Sequence, residues 1–167
     1  ILKLIKANQI DKAKSIFNSY LELRNLNIEE NYNSLFIWEK EIAAWFYLKD
    51  ENIAKAENLY KKIIQQYSNI PSFYNGDYDN SILINSQVNL SLIYSGKDRI
   101  DLALEQLNKA SSICKEGDKK AEILFRIGEL QYKNGDTRNS IRSLKYAIKL
   151  NKKHKKARLL LKNITNK

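Results

Sequence analysis

The stretch FRIGELQYKNGDTRNSIRSLKYAIKLN, Phe125 to Asn151, decides how the rest of the chain is read. Leu124, Ile127 and Leu130 recur at helical spacing before a polar break, and Ile141, Leu144 and Ile148 do so after it. Gly135 takes the left-handed conformation at no steric cost and so ends the first helix. Asp136 follows it and caps the start of the second with its carboxylate. The stretch therefore predicts an αα-hairpin. Gly128, Ser140 and Ala147 mark the places where its helices approach most closely, since a large side chain there would push them apart.

The same pattern returns upstream. Leu90, Ser91, Tyr94, Ala103, Leu107 and Ala110 match it in one stretch. Ala43, Ala44, Tyr47, Ala56, Tyr60 and Ile63 match it in another, and Ala13 and Phe17 in a third that lacks most of its first helix. The small anchors Ala13, Ala56, Ala103 and Ser140 are 43, 47 and 37 residues apart. Four copies of a small-x3-large motif, each after a polar break, describe a helical solenoid. The boundaries are read as a partial repeat and connector (1–33), repeats at 34–81, 82–118 and 119–151, and a capping helix (152–167). In that last helix Ala157, Leu160, Leu161 and Ile164 form one apolar stripe with lysines over the remainder, as a solenoid end requires.

Over essentially its whole length the chain resembles the tetratricopeptide repeat superfamily. The resemblance implies an all-α, right-handed superhelical solenoid of antiparallel helix pairs. It would have three complete repeats, a partial N-terminal one and a C-terminal cap. Composition agrees: five glycines and one proline in 167 residues are too few turn formers for a strand-dense fold. No apolar run reaches the roughly 18 residues of a membrane span. A single cysteine, Cys114, fits a reducing compartment, and a cytoplasmic location is expected. The absence of methionine reads as a domain cut from a longer protein, which leaves an export signal open.

No enzyme is expected. Catalysis needs titratable groups converging in a cleft, and His154 stands alone in a lysine run where it reads as solvated. Cys114, on the stripe of Leu107 and Ala110, reads as a buried small hydrophobe. No Cys/His spacing suits a metal, and Asp77 to Asn80 lack the rest of a calcium loop. No cofactor is expected. The segment 66–81 holds the only proline, a glycine and the aromatics Tyr67, Phe73, Tyr74 and Tyr78. It reads either as a functional loop or as a connector folded back on its neighbours.

The first helix of each repeat should line a concave groove. The repeat register places Trp38, Glu41, Trp45 and Leu48 there, then Asn85, Val88, Asn89 and Leu92, then Glu122, Phe125, Arg126, Glu129 and Tyr132. Asn85 and Asn89, four apart, share one helix face and offer donors and acceptors to a peptide backbone. Arg126 either clamps a carboxylate or pairs with Glu122 or Glu129 on its own helix. Trp38 and Trp45 are either apolar pockets or core.

One branch of the superfamily binds chaperone C-termini through a clamp of Lys, Asn and Arg. Only Asn89 and Arg126 match that clamp; Glu41, Trp45 and Glu122 occupy its other positions, which disfavours that ligand. The segment LFIWEKEIAAWFYLKDENIAKAENLYKKI resembles the sensor domains of peptide-pheromone regulators from Gram-positive bacteria. That likeness implies a short peptide held by asparagines such as Asn85 and Asn89. The expected function is thus a non-enzymatic module for a peptide or partner protein, with a structural adaptor as the alternative.

Charge supplies a further alternative. Residues 119–167 hold 15 Lys/Arg against three acids, a net of +12, while residues 1–118 carry −2. The basic third reads as a solvated lysine coat or as a surface for an acidic partner or nucleic acid. Outside this end, nucleic acid would require domains beyond the chain. The oligomeric state stays open.

Overall fold

Four three-residue turns, at 7–9, 50–52, 97–99 and 134–136, organise the chain. The middle residue of each is left-handed: Asn8 (φ 58°), Glu51 (59°), Asp98 (56°) and Gly135 (82°). In each, the N–H of the third residue bonds to the carbonyl five residues back: Gln9 to Leu4, Asn52 to Tyr47, Arg99 to Tyr94 and Asp136 to Gln131, at 2.8–2.9 Å. The middle N–H bonds three residues back, which completes a Schellman closure and satisfies carbonyls the helix end would leave bare.

The computed structural model describes residues 1–68, 77–115 and 117–166. Among them the turns join α1 (Leu2–Lys6) to α2 (Ile10–Leu23), α3 (Ile37–Lys49) to α4 (Ile53–Ser68), α5 (Asp77–Gly96) to α6 (Ile100–Ile113), and α7 (Asp118–Lys133) to α8 (Thr137–Leu150). The last helix, α9 (Lys155–Thr165), follows a short link, and a 3-10 turn lies at Tyr32–Ser34. The described residues contain no strand. Helix reaches into the expected connector 66–81 from both sides, through Ser68 and from Asp77. Pro71, Phe73, Tyr74 and Gly76 of that connector lie outside the described residues.

Each small anchor follows its left-handed residue by five positions, and Ala13, Ala56, Ala103 and Ser140 are all 0% exposed. The large residues four places later, Phe17, Tyr60, Leu107 and Leu144, are buried with them. The chain divides into two units, 1–59 and 60–167, whose boundary falls inside α4.

In the first unit, Phe17 of α2 packs on Phe46 of α3 with ring centroids 5.7 Å apart. Between the same helices lies a buried carboxylate. Glu39 is 0% exposed; Tyr20 donates to its Oε1 at 2.5 Å, Arg24 pairs with the same oxygen, and the Phe36 N–H donates to Oε2 at 2.6 Å. Both oxygens of the buried carboxylate therefore have donors, as burial of this group demands. The hydrogen bond to Glu39 is the main cause that pushes the Tyr20 hydroxyl above its ordinary range.

In the second unit α5 packs on α6, α6 on α7, α7 on α8, and α9 on both α7 and α8. The α7–α8 hairpin closes at Gly128. A Cβ there would lie 2.9 Å from Leu144 Cγ and 3.2 Å from the Ser140 carbonyl, so only glycine fits without a shift. Ser140 Oγ donates to the Gly128 carbonyl at 2.7 Å across the same contact. Asp136 caps α8 by accepting from the Asn139 N–H at 3.1 Å. Ala157 and Ile164 of α9 are buried, so its apolar stripe faces inward.

Candidate functional site

The partly exposed stripe of each first helix is set by its distance from the left-handed turn residue. Thirteen residues before it stand Trp38, Asn85 and Glu122; six before it, Trp45, Leu92 and Glu129. None of these six is buried. Glu41, Val88, Asn89, Arg126 and Tyr132 are likewise half-buried, whereas Phe125 is buried.

Trp38, Glu41 and Trp45 lie on α3, in the first unit. Trp38 meets Tyr20 in a tilted pair at 5.5 Å, and Trp45 meets Phe46 at 5.5 Å while Lys49 Nζ lies 5.3 Å from its ring centroid. Both indoles are half-buried, a position between the pocket and core readings. Nearby, burial pushes the Tyr32 hydroxyl up to about 12 and the Lys40 ammonium down; Lys40 Nζ lies 4.2 Å from the Tyr32 ring centroid.

The second unit brings part of the expected set together. Glu122, Phe125, Arg126 and Glu129 of α7 face Lys156, Leu159, Leu160 and Asn163 of α9 across a groove of about 360 Å³. Phe125, Leu159 and Leu160 supply apolar surface, and four charged residues stand around it. Arg126 Nε lies 3.0 Å from Glu122 Oε1, so its intrahelical pairing is the arrangement present. Asn85 and Asn89 lie one turn apart on α5 and Tyr132 at the end of α7; none of the three lines this groove.

His154 corrects the sequence reading. It was expected in solvent among lysines, yet its side chain is only 9% exposed. The ring packs on Phe125 at 5.0 Å, its Nδ1 accepts from the Ala157 N–H as the cap of α9, and its Nε2 lies 3.2 Å from Glu122 Oε2. Glu122 therefore lies against both Arg126 and the start of α9. The lysine run hid this because its periodicity restarts at the new helix. The groove face of α9 was missed for a related reason: a lysine-rich end helix reads as a cover, although Leu159, 63% exposed beside the groove, does not suit a simple polar cap.

A smaller groove, about 240 Å³, is lined by Asn80, Ser81 and Ile84 of α5 together with Ile113, Cys114, Lys115 and Lys119. Cys114 is buried there at the end of α6, as expected of a small hydrophobe. Among the described residues no group of His, Cys, Asp and Glu could hold a metal ion, and no helix is long and apolar enough to cross a membrane.

Comparison with known proteins places this architecture. Residues 84–116 and 121–154 each match the model of the tetratricopeptide repeat family. No curated protein matches the sequence. Among solved structures, BtubC (BKLC) from P. vanneervenii is similar over 89% of the chain, with a TM-score of 0.66 and 15% identity. The chain spans 58% of that protein's length. The C-terminal TPR-containing domain of a Plasmodium falciparum protein, described as FK506-binding, aligns over 86% of this chain and 93% of its own. Its TM-score is 0.63 at 20% identity. TPR-like repeats from Podosopora anserina, described as kinesin light chain, cover 98% of this chain and 89% of their own at 0.60 and 14%. At such identities the likeness shows the fold: an all-α array of tetratricopeptide-type helix pairs. Its two matched repeats mark a protein-interaction module.

Proposed function

We propose that this module binds an extended peptide segment of a partner along the first-helix stripes of the second unit, from Asn85 and Asn89 on α5 to Arg126 and Glu129 on α7. The observation that carries this reading is the groove between α7 and α9, an apolar floor edged by Glu129, Lys156 and Asn163. An extended chain needs both features, because its side chains bury apolar area while its amides need polar partners. Asn85 and Asn89 supply donors and acceptors without demanding a particular side chain. Trp38, Glu41 and Trp45 hold the equivalent stripe on α3 and extend the same role to the first unit. Within this reading, the sensor domain of a bacterial peptide-responsive regulator is the physiological setting, with a cytoplasmic location and no catalytic step.

The test starts from peptides selected on the purified chain from a random display library. Asn85→Ala with Asn89→Ala weakens their binding by about 1–3 kcal/mol, roughly five- to 150-fold, and leaves the fold intact. Selected peptides indifferent to both changes would remove α5 from the site. A library that yields no binder at all would favour a structural adaptor.

A further inference from the structure

Beyond Asp136 the chain contains no acidic side chain. The described part of this run carries ten cations, four of them on α8 and six more in the link and on α9. All ten are exposed, and among the described residues none forms an ion pair with a carboxylate. Elsewhere acids are interspersed with the cations, and some of them pair: Lys14 with Asp50, Lys55 with Glu29, Lys109 with Glu105 and Lys133 with Asp98. Asp136 accepts from the backbone and side-chain N–H groups of Asn139, which hold its carboxyl below the ordinary range, and attraction from Arg142 and Arg138 adds to this without an ion-pair contact.

The cations of α8 are ordered. Arg138, Arg142, Lys145 and Lys149 follow one another at i, i+4, i+7 and i+11, which is a single helix face. They span about 16 Å at the helical rise. A nucleic-acid duplex carries one phosphate per strand about every 3.4 Å, hence about five over that length. The opposite face of α8 is already used, since Ser140, Leu144 and Ala147 are buried in the hairpin.

The chemistry of this face narrows its partner. A protein interface draws its affinity from an apolar or aromatic centre, and α8 offers only Tyr146 outside its buried side. A helix lying on a membrane needs a free apolar face. Single-stranded nucleic acid is gripped by rows of stacking aromatics. A duplex backbone needs none of these, because release of condensed counterions supplies the affinity. We propose that the exposed face of α8, extended by the following link, docks the phosphodiester backbone of a nucleic-acid duplex without reading its sequence. The site is separate from the α5 and α7 stripes and stands whether or not they bind peptide.

Fluorescence anisotropy of the whole chain with a labelled mixed-sequence DNA duplex, from about 50 to 200 mM salt, tests this. The expected log–log slope is about −4 or steeper, a loss of about a hundredfold or more across that range. Changing Arg138, Arg142, Lys145 and Lys149 together to Gln flattens the slope by about three to four, with the circular-dichroism melt unchanged. If that variant melts early, Lys145→Gln with Lys149→Gln carries the test, and the slope drops by about two. Lys3→Gln, Lys6→Gln and Lys12→Gln together leave the slope as it was. No binding at low salt, a flat salt dependence or a slope insensitive to the α8 changes overturns the proposal. So does equal, α8-dependent affinity for phosphatidylserine vesicles or polyglutamate, which would assign the face to a membrane or an acidic protein.

Discussion

Glu39 on α3 and Ile123 on α7 occupy the same place, each twelve residues before the left-handed residue of its turn. Both are buried, at 0% and 2% exposure. One is a carboxylate in contact with Tyr20, Arg24 and the Phe36 N–H, and the other is a hydrocarbon within the α7 core. The corresponding residue of α5, Ser86, is buried too. Backbone geometry thus decides that the position is inside. A carboxylate stands there only where its neighbours supply donors.

The comparison breaks most visibly if the carboxylate is moved. Ile123→Glu places a charge where no equivalent of Arg24 and Tyr20 has been built. We expect a loss of about 4 kcal/mol or more, read as collapse of the cooperative melt or as expression of insoluble chain. A soluble variant melting near the parent would show that α7 tolerates what α3 requires, and the contrast would fail.

Removing the carboxylate from α3 comes next. Glu39→Ala deletes the acceptor of three donors and leaves the Arg24 guanidinium over Phe36 without its anion. The expected cost in urea unfolding is about 3 kcal/mol, the low end for a broken buried pair because Arg24 keeps some contact with water. Glu39→Gln should recover part of it, since an amide oxygen still accepts. Equal losses for both variants would indicate a packing role instead.

The smallest effect has the opposite sign. Glu51 and Gly135 share one turn geometry, yet a glutamate at φ 59° is strained whereas a glycine is not. Glu51→Gly should stabilise by about 1 kcal/mol despite the entropy a glycine adds to the unfolded chain. A destabilised variant would mean that the Glu51 side chain contributes more than its backbone costs.

The turns also show what the sequence could reveal. Gly135 announced its turn because glycine is the ordinary residue for that conformation. Asn8, Glu51 and Asp98 adopt it as well, but only the closing hydrogen bonds expose them. The anchors Ala13, Ala56, Ala103 and Ser140 were legible because helices this close admit nothing larger, as the Gly128 contact with Leu144 demonstrates. The stripe of α7 followed from that register. The α9 side of its groove did not, since pairing of Lys156, Leu159 and Asn163 with α7 depends on how the end helix packs. His154 was misread in the same place: a histidine amid lysines looks solvated until Phe125 and Glu122 are brought against it.

The measurement closest to the central claim is a chemical-shift map of the chain titrated with a display-selected peptide. Binding along the first-helix stripes predicts that the largest shifts fall on Asn85 and Asn89 of α5, Arg126 and Glu129 of α7, and Leu159 and Asn163 of α9. Shifts concentrated instead on α6 and α8, with those six residues unmoved, would contradict it.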